Sequence, residues 1–175
     1  MADDPITIAH RLDTGRIPKT LAGARLGVRV APFGDSRGKD PRAVMDKINL
    51  AGSLPRGSYV ADEPVAAILA RAVSEALAAA GAPPAAPGAG LVLSGTLTRL
   101  HFQVTMGFAK CLLKGEISLD FTLSDSAGKT LATFALTGNG RAADGDIAPA
   151  AFASAVLDLV QKLAAEPRLV ESLMG

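Results

Sequence analysis

The chain is expected to fold as an α+β protein, with a mainly antiparallel twisted sheet, a long β-hairpin, two amphipathic helices packed on one face and a short C-terminal helix. Three observations predict this. Lys110 to Leu123 alternates apolar and polar residues far enough to make a strand with one buried face, and Leu91 to Thr105 just before it is a second long run of strand type. Two further segments repeat apolar residues at i, i+3 and i+4, the period of a half-buried helix. The strands follow one another instead of alternating with helices, which favours α+β over a parallel α/β sheet.

Ile6-Thr7-Ile8 is a short β-prone piece, and a polar connection follows it through Pro18 to Arg25. Leu26 to Ala31 alternates, with Leu26, Val28 and Val30 on one face, and is closed by Pro32 and the turn-rich Gly34-Asp35-Ser36. From Phe33 to Tyr59 runs a long stretch rich in Gly, Pro and charge, interrupted by a helix or strand across Ala43 to Leu50. Asp62 is placed to cap a helix whose inner face is Val65, Ile68, Leu69, Ala72, Val73, Ala76 and Leu77 and which ends near Gly81. Ala82 to Gly90 is too rich in proline to continue it.

The phase of the next strand changes. Leu91, Leu93 and Leu97 share one parity, while Leu100, Phe102 and Val104 share the other, so a β-bulge is expected near Thr98 to Arg99. Met106-Gly107 then turns into the alternating strand, whose apolar set runs from Ala109 and Cys111 to Leu123 and whose polar face is broken only by Leu112. Such long strands must twist strongly or project. Ser124 to Gly128 reads as a turn, Lys129 to Gly138 as a strand with Ala132, Phe134 and Leu136 inward, and the glycines after it as a connection. Asp146 can cap a helix carrying Phe152, Ala155, Val156, Leu159, Val160 and Leu163, and Pro167 opens a last short helix with Leu169, Val170 and Leu173.

At 175 residues and 17.8 kDa one domain is expected. Residues 1–24 read as an N-terminal extension or tether and residues 25–175 as the domain. Mean hydropathy is +0.28, but no apolar run reaches the roughly 18 residues of a membrane span. A net charge of +1 and 4% aromatics supply neither the field nor the stacking platform for nucleic acid. The single cysteine, Cys111, excludes an intrachain disulfide and falls on the apolar face of its strand, as a small buried hydrophobe would. The start, Met1-Ala2-Asp3-Asp4-Pro5, has neither the basic nor the apolar region of a signal peptide.

Little in the residue inventory points to catalysis. Ala127-Gly128-Lys129-Thr130 ends like a phosphate-binding loop, but Leu123 stands where its first glycine belongs and the segment joins two strands, so it reads as a hairpin turn. His10 and His101 are the only histidines, too few for a metal cluster or a serine triad, and His101 reads as a sheet-edge residue. Asp144 and Asp146 lack the ligand spacing of a calcium loop. No catalytic, cofactor-binding or metal-binding residue is assigned, and no cofactor is expected. Asp35, Arg37, Lys39 and Arg42 remain, read either as a loop closed by an Asp–Arg pair or as a partner-contact surface, with Leu112 as a further contact.

The order of elements and several local strings resemble the YajG-like family of bacterial lipoproteins. The matching points are a first strand running into Asp35-x-Arg37, a long loop before the Val65 to Ala80 helix that ends at Ala79 and Gly81, and two long strands in succession. A turn at Gly128, a strand ending in Gly138 to Gly140, and an acidic-Pro-x-Leu tail at Glu166 to Leu169 complete the pattern. The resemblance implies a non-enzymatic periplasmic domain held at a membrane, the outer rather than the inner, by an acylated N-terminal cysteine, with envelope proteins or lipid as partners. The lipobox cysteine of that family is not in this sequence, which fits a start at Met1-Ala2 that replaced a leader. A small-ligand or lipid carrier, with an apolar pocket between hairpin and helices, is the alternative.

Overall fold

The computed structural model describes residues 10–48, 55–106, 111–143 and 147–175. Ile6 to Ile8, the Gly107 turn and the Asp144 and Asp146 positions lie outside them, as does the side chain of Cys111. The elements are β1 (Val28–Val30), β2 (Gly34–Asp35), β3 (Ala43–Ile48), β4 (Pro55–Val60), α1 (Val65–Ala79), β5 (Leu91–Met106), β6 (Cys111–Ser124), β7 (Thr130–Ala142), α2 (Ile147–Ala164) and α3 (Pro167–Met174). The main sheet has the order β1-β5-β6-β7, with β2 also beside β5, and β3 and β4 form a separate two-stranded sheet.

The expected α+β architecture is what the chain adopts. The long hairpin pairs β5 with β6 antiparallel from Val92 opposite Ser124 to Met106 opposite Cys111, and β7 pairs antiparallel with β6. The register shifts between Leu97 and Arg99, at the phase change. Before the shift Leu91, Leu93 and Leu97 face inward; after it Phe102 does, so one extra residue keeps a single apolar face along a strand of 16 residues. On β6, Leu113, Ile117, Leu119, Phe121 and Leu123 are buried while Lys114 and Asp120 are exposed. Leu112 is half-buried rather than exposed.

Several local expectations are corrected. The first strand is shorter than 26–31: it covers Val28–Val30, runs parallel to β5, and leaves Leu26 40% exposed. The long charged stretch holds β2 and the β3–β4 hairpin, whose strand β4 has a composition (Pro55, Arg56, Gly57, Ser58) that disguises it. Asp62 does not cap α1. Pro64 occupies that position without a side-chain hydrogen bond, and the Val65 N–H donates instead to the carbonyl of Pro41. The strand expected to end at Gly138 runs on through Gly140 to Ala142, so the glycine-rich stretch after it is not all connection. Leu12, Ile17 and Leu21, from the segment expected as a tether, belong to the core, and the Leu21 N–H donates to Ala80 at the end of α1.

All the apolar positions expected on α1 and α2 are buried. Helix α2 lies on β6 and β7, α1 packs beside it toward β1 and β5, and α3 closes the end near β7. Phe102 covers Gly115 on the adjacent strand, and Phe33 covers Gly95, so two aromatic rings fill the sheet where glycine leaves no side chain. Among the described residues no single helix is long and apolar enough to cross a membrane.

The outer edge of β7 is guarded. Arg168 Nη1 donates to the Thr133 carbonyl at 2.7 Å, Lys162 Nζ to the Thr137 carbonyl at 2.8 Å, and the Asn139 N–H donates to Asp158 Oδ2 at 2.8 Å. Side chains of α2 and α3 thus occupy backbone groups that would otherwise template another strand. The triple variant Asp158→Ala, Lys162→Ala, Arg168→Ala is expected to stay folded and to self-associate with rising concentration in sedimentation velocity; a variant that remains monomeric at all concentrations would disprove the guard.

Candidate functional site

Asp35 and Arg37 form a closed knot beside β5. Strand β2 pairs with Thr96 and Leu97, and the Ser36 N–H donates to the Leu97 carbonyl at 2.9 Å, so the chain leaves the sheet edge at a fixed point. There Arg37 grips Asp35 with both Nε (2.9 Å to Oδ1) and Nη2 (2.6 Å to Oδ2). Its Nη1 donates to the Ala43 carbonyl at 2.7 Å, and Nη2 also reaches the Pro41 carbonyl at 3.2 Å. The two side chains are only 6% and 13% exposed, so their fork-to-fork geometry is held largely out of water. The Arg37 guanidinium, by hydrogen bonding first and by charge last, holds the Asp35 carboxyl below its usual range against the opposing effect of burial.

Lys39 and Arg42 stand on the outside of this loop, exposed. The backbone of Arg42 is structural: its N–H donates to Asp40 Oδ1 at 2.9 Å, and its carbonyl accepts from Ala61 at 2.8 Å. Leu112 is not brought to this cluster. It pairs with Thr105, eight residues along β5 from the Leu97 that anchors β2, about 26 Å away on an extended strand.

The sheet face opposite the helices carries a second group of polar residues that no sequence motif marks. Arg99, His101, Gln103, Lys114, Glu116 and Asn139 line a shallow groove of about 310 Å³. Cross-strand register assembles it: His101, Glu116 and Asn139 form one row, and Gln103, Lys114 and Arg141 the next. Arg99 Nε pairs with Glu116 Oε1 at 2.7 Å. His101 lies on the part of β5 beyond β2, at the sheet edge. Finding this groove from sequence would have required the register of β7 against β6, which composition does not give.

Below the β7 edge, the chain from His10 to Arg16 runs against α2 and encloses a groove of about 450 Å³ with Ser154, Asp158 and Gln161. His10 packs edge-on to Phe152 with ring centroids 5.8 Å apart, and neither ring nitrogen has a hydrogen-bond partner among the described residues. Burial first, and the nearby charge of Arg71 second, push its pKa down. The folded state therefore resists the proton, so stability is unaffected above the free-imidazole value of 6.5 and falls as pH drops below it, where the unfolded chain takes up the proton more readily. The variant His10→Leu is expected to flatten this: its melting temperature should fall less than that of the parent between pH 7.5 and 5.5. Parallel pH profiles would refute the assignment.

Among the described residues no group of three or more His, Cys, Asp or Glu could hold a metal ion. The space between the hairpin and α2, where a carrier would hold its ligand, is filled by Phe102, Leu113, Ile117, Phe152 and Val156, all at most 7% exposed.

No family model and no curated protein sequence matches the chain. Solved structures do share its fold. A Xanthomonas campestris protein described under the family model DUF330 superposes with a TM-score of 0.57 at 16% identity, over 83% of this chain and 86% of that one. A hypothetical protein from Chlamydia trachomatis gives 0.52 at 12% identity, over 86% and 98%. A minor lipoprotein from Acinetobacter baumannii gives 0.41 at 17% identity, over 57% and 82%. At these identities the first two likenesses are of fold.

Proposed function

We propose that the chain is the soluble domain of a bacterial envelope lipoprotein of YajG-like type, held at the outer membrane by an N-terminal lipid and acting without catalysis as a binding or accessory component. The observation that carries the binding half is the bare polar face of the sheet. Among the described residues helices cover one side only, and the charged side chains on the other line an open groove instead of converging in an enclosed pocket of the kind catalysis uses. The anchoring half is supported by the run of features from Asp35-x-Arg37 to the Glu166 to Leu169 tail that carries the resemblance. Lys39 and Arg42 on their exposed loop, with Leu112 toward the hairpin end, are contacts this reading proposes for envelope proteins or lipid.

The test is to express the gene from its own chromosomal start in its own bacterium, fractionate the cells and determine the mass of the N-terminal peptide. An acylated cysteine in the membrane fraction is expected. An unmodified N-terminus in the cytoplasmic fraction would rule the anchoring out.

A further inference from the structure

The two polar grooves meet at one residue. Asn139, on the outer strand of the sheet, lines both the groove on the open face and the groove beside α2, so together they form one track that leaves the helix, crosses the β7 edge and continues over the sheet. The charges along it are unequally engaged. Glu116 is paired with Arg99, Asp158 holds Lys162 at 2.7 Å and the Asn139 N–H at 2.8 Å, and Asp13 Oδ1 accepts from the Gly15 N–H at 3.2 Å. Among the described residues, by contrast, Arg11, Arg16 and Lys114 have no carboxylate partner. Nor does Arg141, which sits directly opposite Lys114 in the β6–β7 ladder. Like charges facing each other across a strand pair destabilise it, and an anion placed between them would relieve that cost.

We propose that this track binds an extended acidic segment of a partner protein. The chain as a whole carries only +1, so the attraction is local to the track and does not belong to the whole surface. A flexible chain can follow a path that turns over a sheet edge, whereas a flat membrane surface meets one side of it. Among the described residues the lining contains no Phe, Tyr or Trp on which bases could stack, which disfavours a nucleic acid. The side-chain amides of Gln103 and Asn139 are suited to the backbone of such a segment and the unpaired cations to its carboxylates. Contacts of this exposed kind are screened by salt, so the binding is salt-sensitive. The inference rests on the binding half of the proposed function and is independent of the membrane anchor.

Fluorescence anisotropy of a labelled decaglutamate peptide with the full chain tests it. Binding is expected at low ionic strength, weakening steadily above roughly 0.15 M salt. Lys114→Glu on the sheet face and Arg16→Glu beside α2 should each weaken it about tenfold, while Lys129→Glu, exposed at the turn between β6 and β7 and outside both grooves, leaves it unchanged. Lys114→Glu also gives Arg141 an opposite charge, so its melting temperature should hold or rise, which separates lost binding from lost folding. The proposal is overturned if the track variants bind as the parent does, or if Lys129→Glu weakens the peptide as much as they do. It is equally overturned if vesicles rich in phosphatidylglycerol, or duplex DNA, bind the chain more tightly than the peptide and with the same sensitivity to Lys114→Glu. An acylated, membrane-bound protein that ignores the peptide would sink this inference alone, and a peptide-binding protein with an unmodified cytoplasmic N-terminus would sink the anchor alone.

Discussion

Replacing Gly138 and Gly140 together by alanine is expected to destabilise the protein by about 4 kcal/mol, with each single replacement costing roughly 2 kcal/mol, toward the upper end of what overpacking does. Both glycines point from β7 toward α2. A Cβ at Gly138 would lie 2.2 Å from the Ala155 carbonyl oxygen and 2.6 Å from Leu159 Cβ; at Gly140 it would lie 2.2 Å from the Ala151 oxygen and 2.4 Å from the Ala155 nitrogen. The obstacles are chiefly backbone atoms of a helix turn, so no rotamer change relieves them, and α2 must lift off the sheet. That movement would loosen Phe152, Val156 and Leu159, all fully buried, and would spread the grooves on either side of Asn139.

Gly128 provides the contrast. Its φ of +85° is a conformation side chains adopt reluctantly, but nothing lies within 4 Å of an added Cβ, so Gly128→Ala should cost about 1 kcal/mol through backbone strain alone. Urea titrations of the variants decide the matter. If the Gly138 and Gly140 variants cost no more than Gly128→Ala, close helix–sheet contact is not what those glycines serve.

The same pair of glycines shows where the sequence is legible and where it is not. Periodicity depends only on which neighbours along the chain share a face, and it locates α1, α2, the long hairpin and even the bulge between Leu97 and Arg99, because burial forces the apolar set to change parity there. Gly138 and Gly140 carry no side chain and so no parity. Taken alone they mark the end of a strand and the start of a connection, and only the helix seated on them explains why β7 continues past both. Strand β4 is hidden for a related reason: Pro55-Arg56-Gly57-Ser58 has the composition of a turn, and its pairing with β3 is a tertiary fact.

The candidate site divides in the same way. The Asp35–Arg37 pair is visible because its members are two residues apart, whereas Lys114 and Arg141 become neighbours only through the register of β6 and β7. Leu12, Ile17 and Leu21 were disguised by the prolines and charges around them, and their burial extends the packed domain into what reads as a tether.

Arg37 should prove the most sensitive charged position, for a reason that extends beyond its ion pair. Removing it leaves the Asp35 carboxylate, 13% exposed, without its counter-charge, and takes a donor from the carbonyls of Ala43 and Pro41. The Pro41 carbonyl also accepts the Val65 N–H at 2.9 Å, the contact that takes the place of a side-chain cap on α1. One guanidinium therefore ties β2, the base of the β3–β4 hairpin and the start of α1 together. Arg37→Met is expected to cost about 3 kcal/mol, as breaking one side of a buried pair does. Arg37→Lys should recover only a minor part, since an ammonium supplies a charge but not the planar fork that serves a carboxylate and two carbonyls at once.

Asp35→Asn combined with Arg37→Met should cost less than the sum of the single changes, because the second replacement has no orphaned charge left to create. The pH dependence follows from the lowered pKa of Asp35: its stabilisation is fully present above the free-carboxyl value of 3.8 and is lost as pH falls through the lower folded value. Chemical denaturation at pH 7 and again below pH 4 should therefore find the gap between parent and Arg37→Met narrowing in acid. A gap that stays constant across that range would mean that the pair closes the loop by shape alone and that its charge contributes nothing.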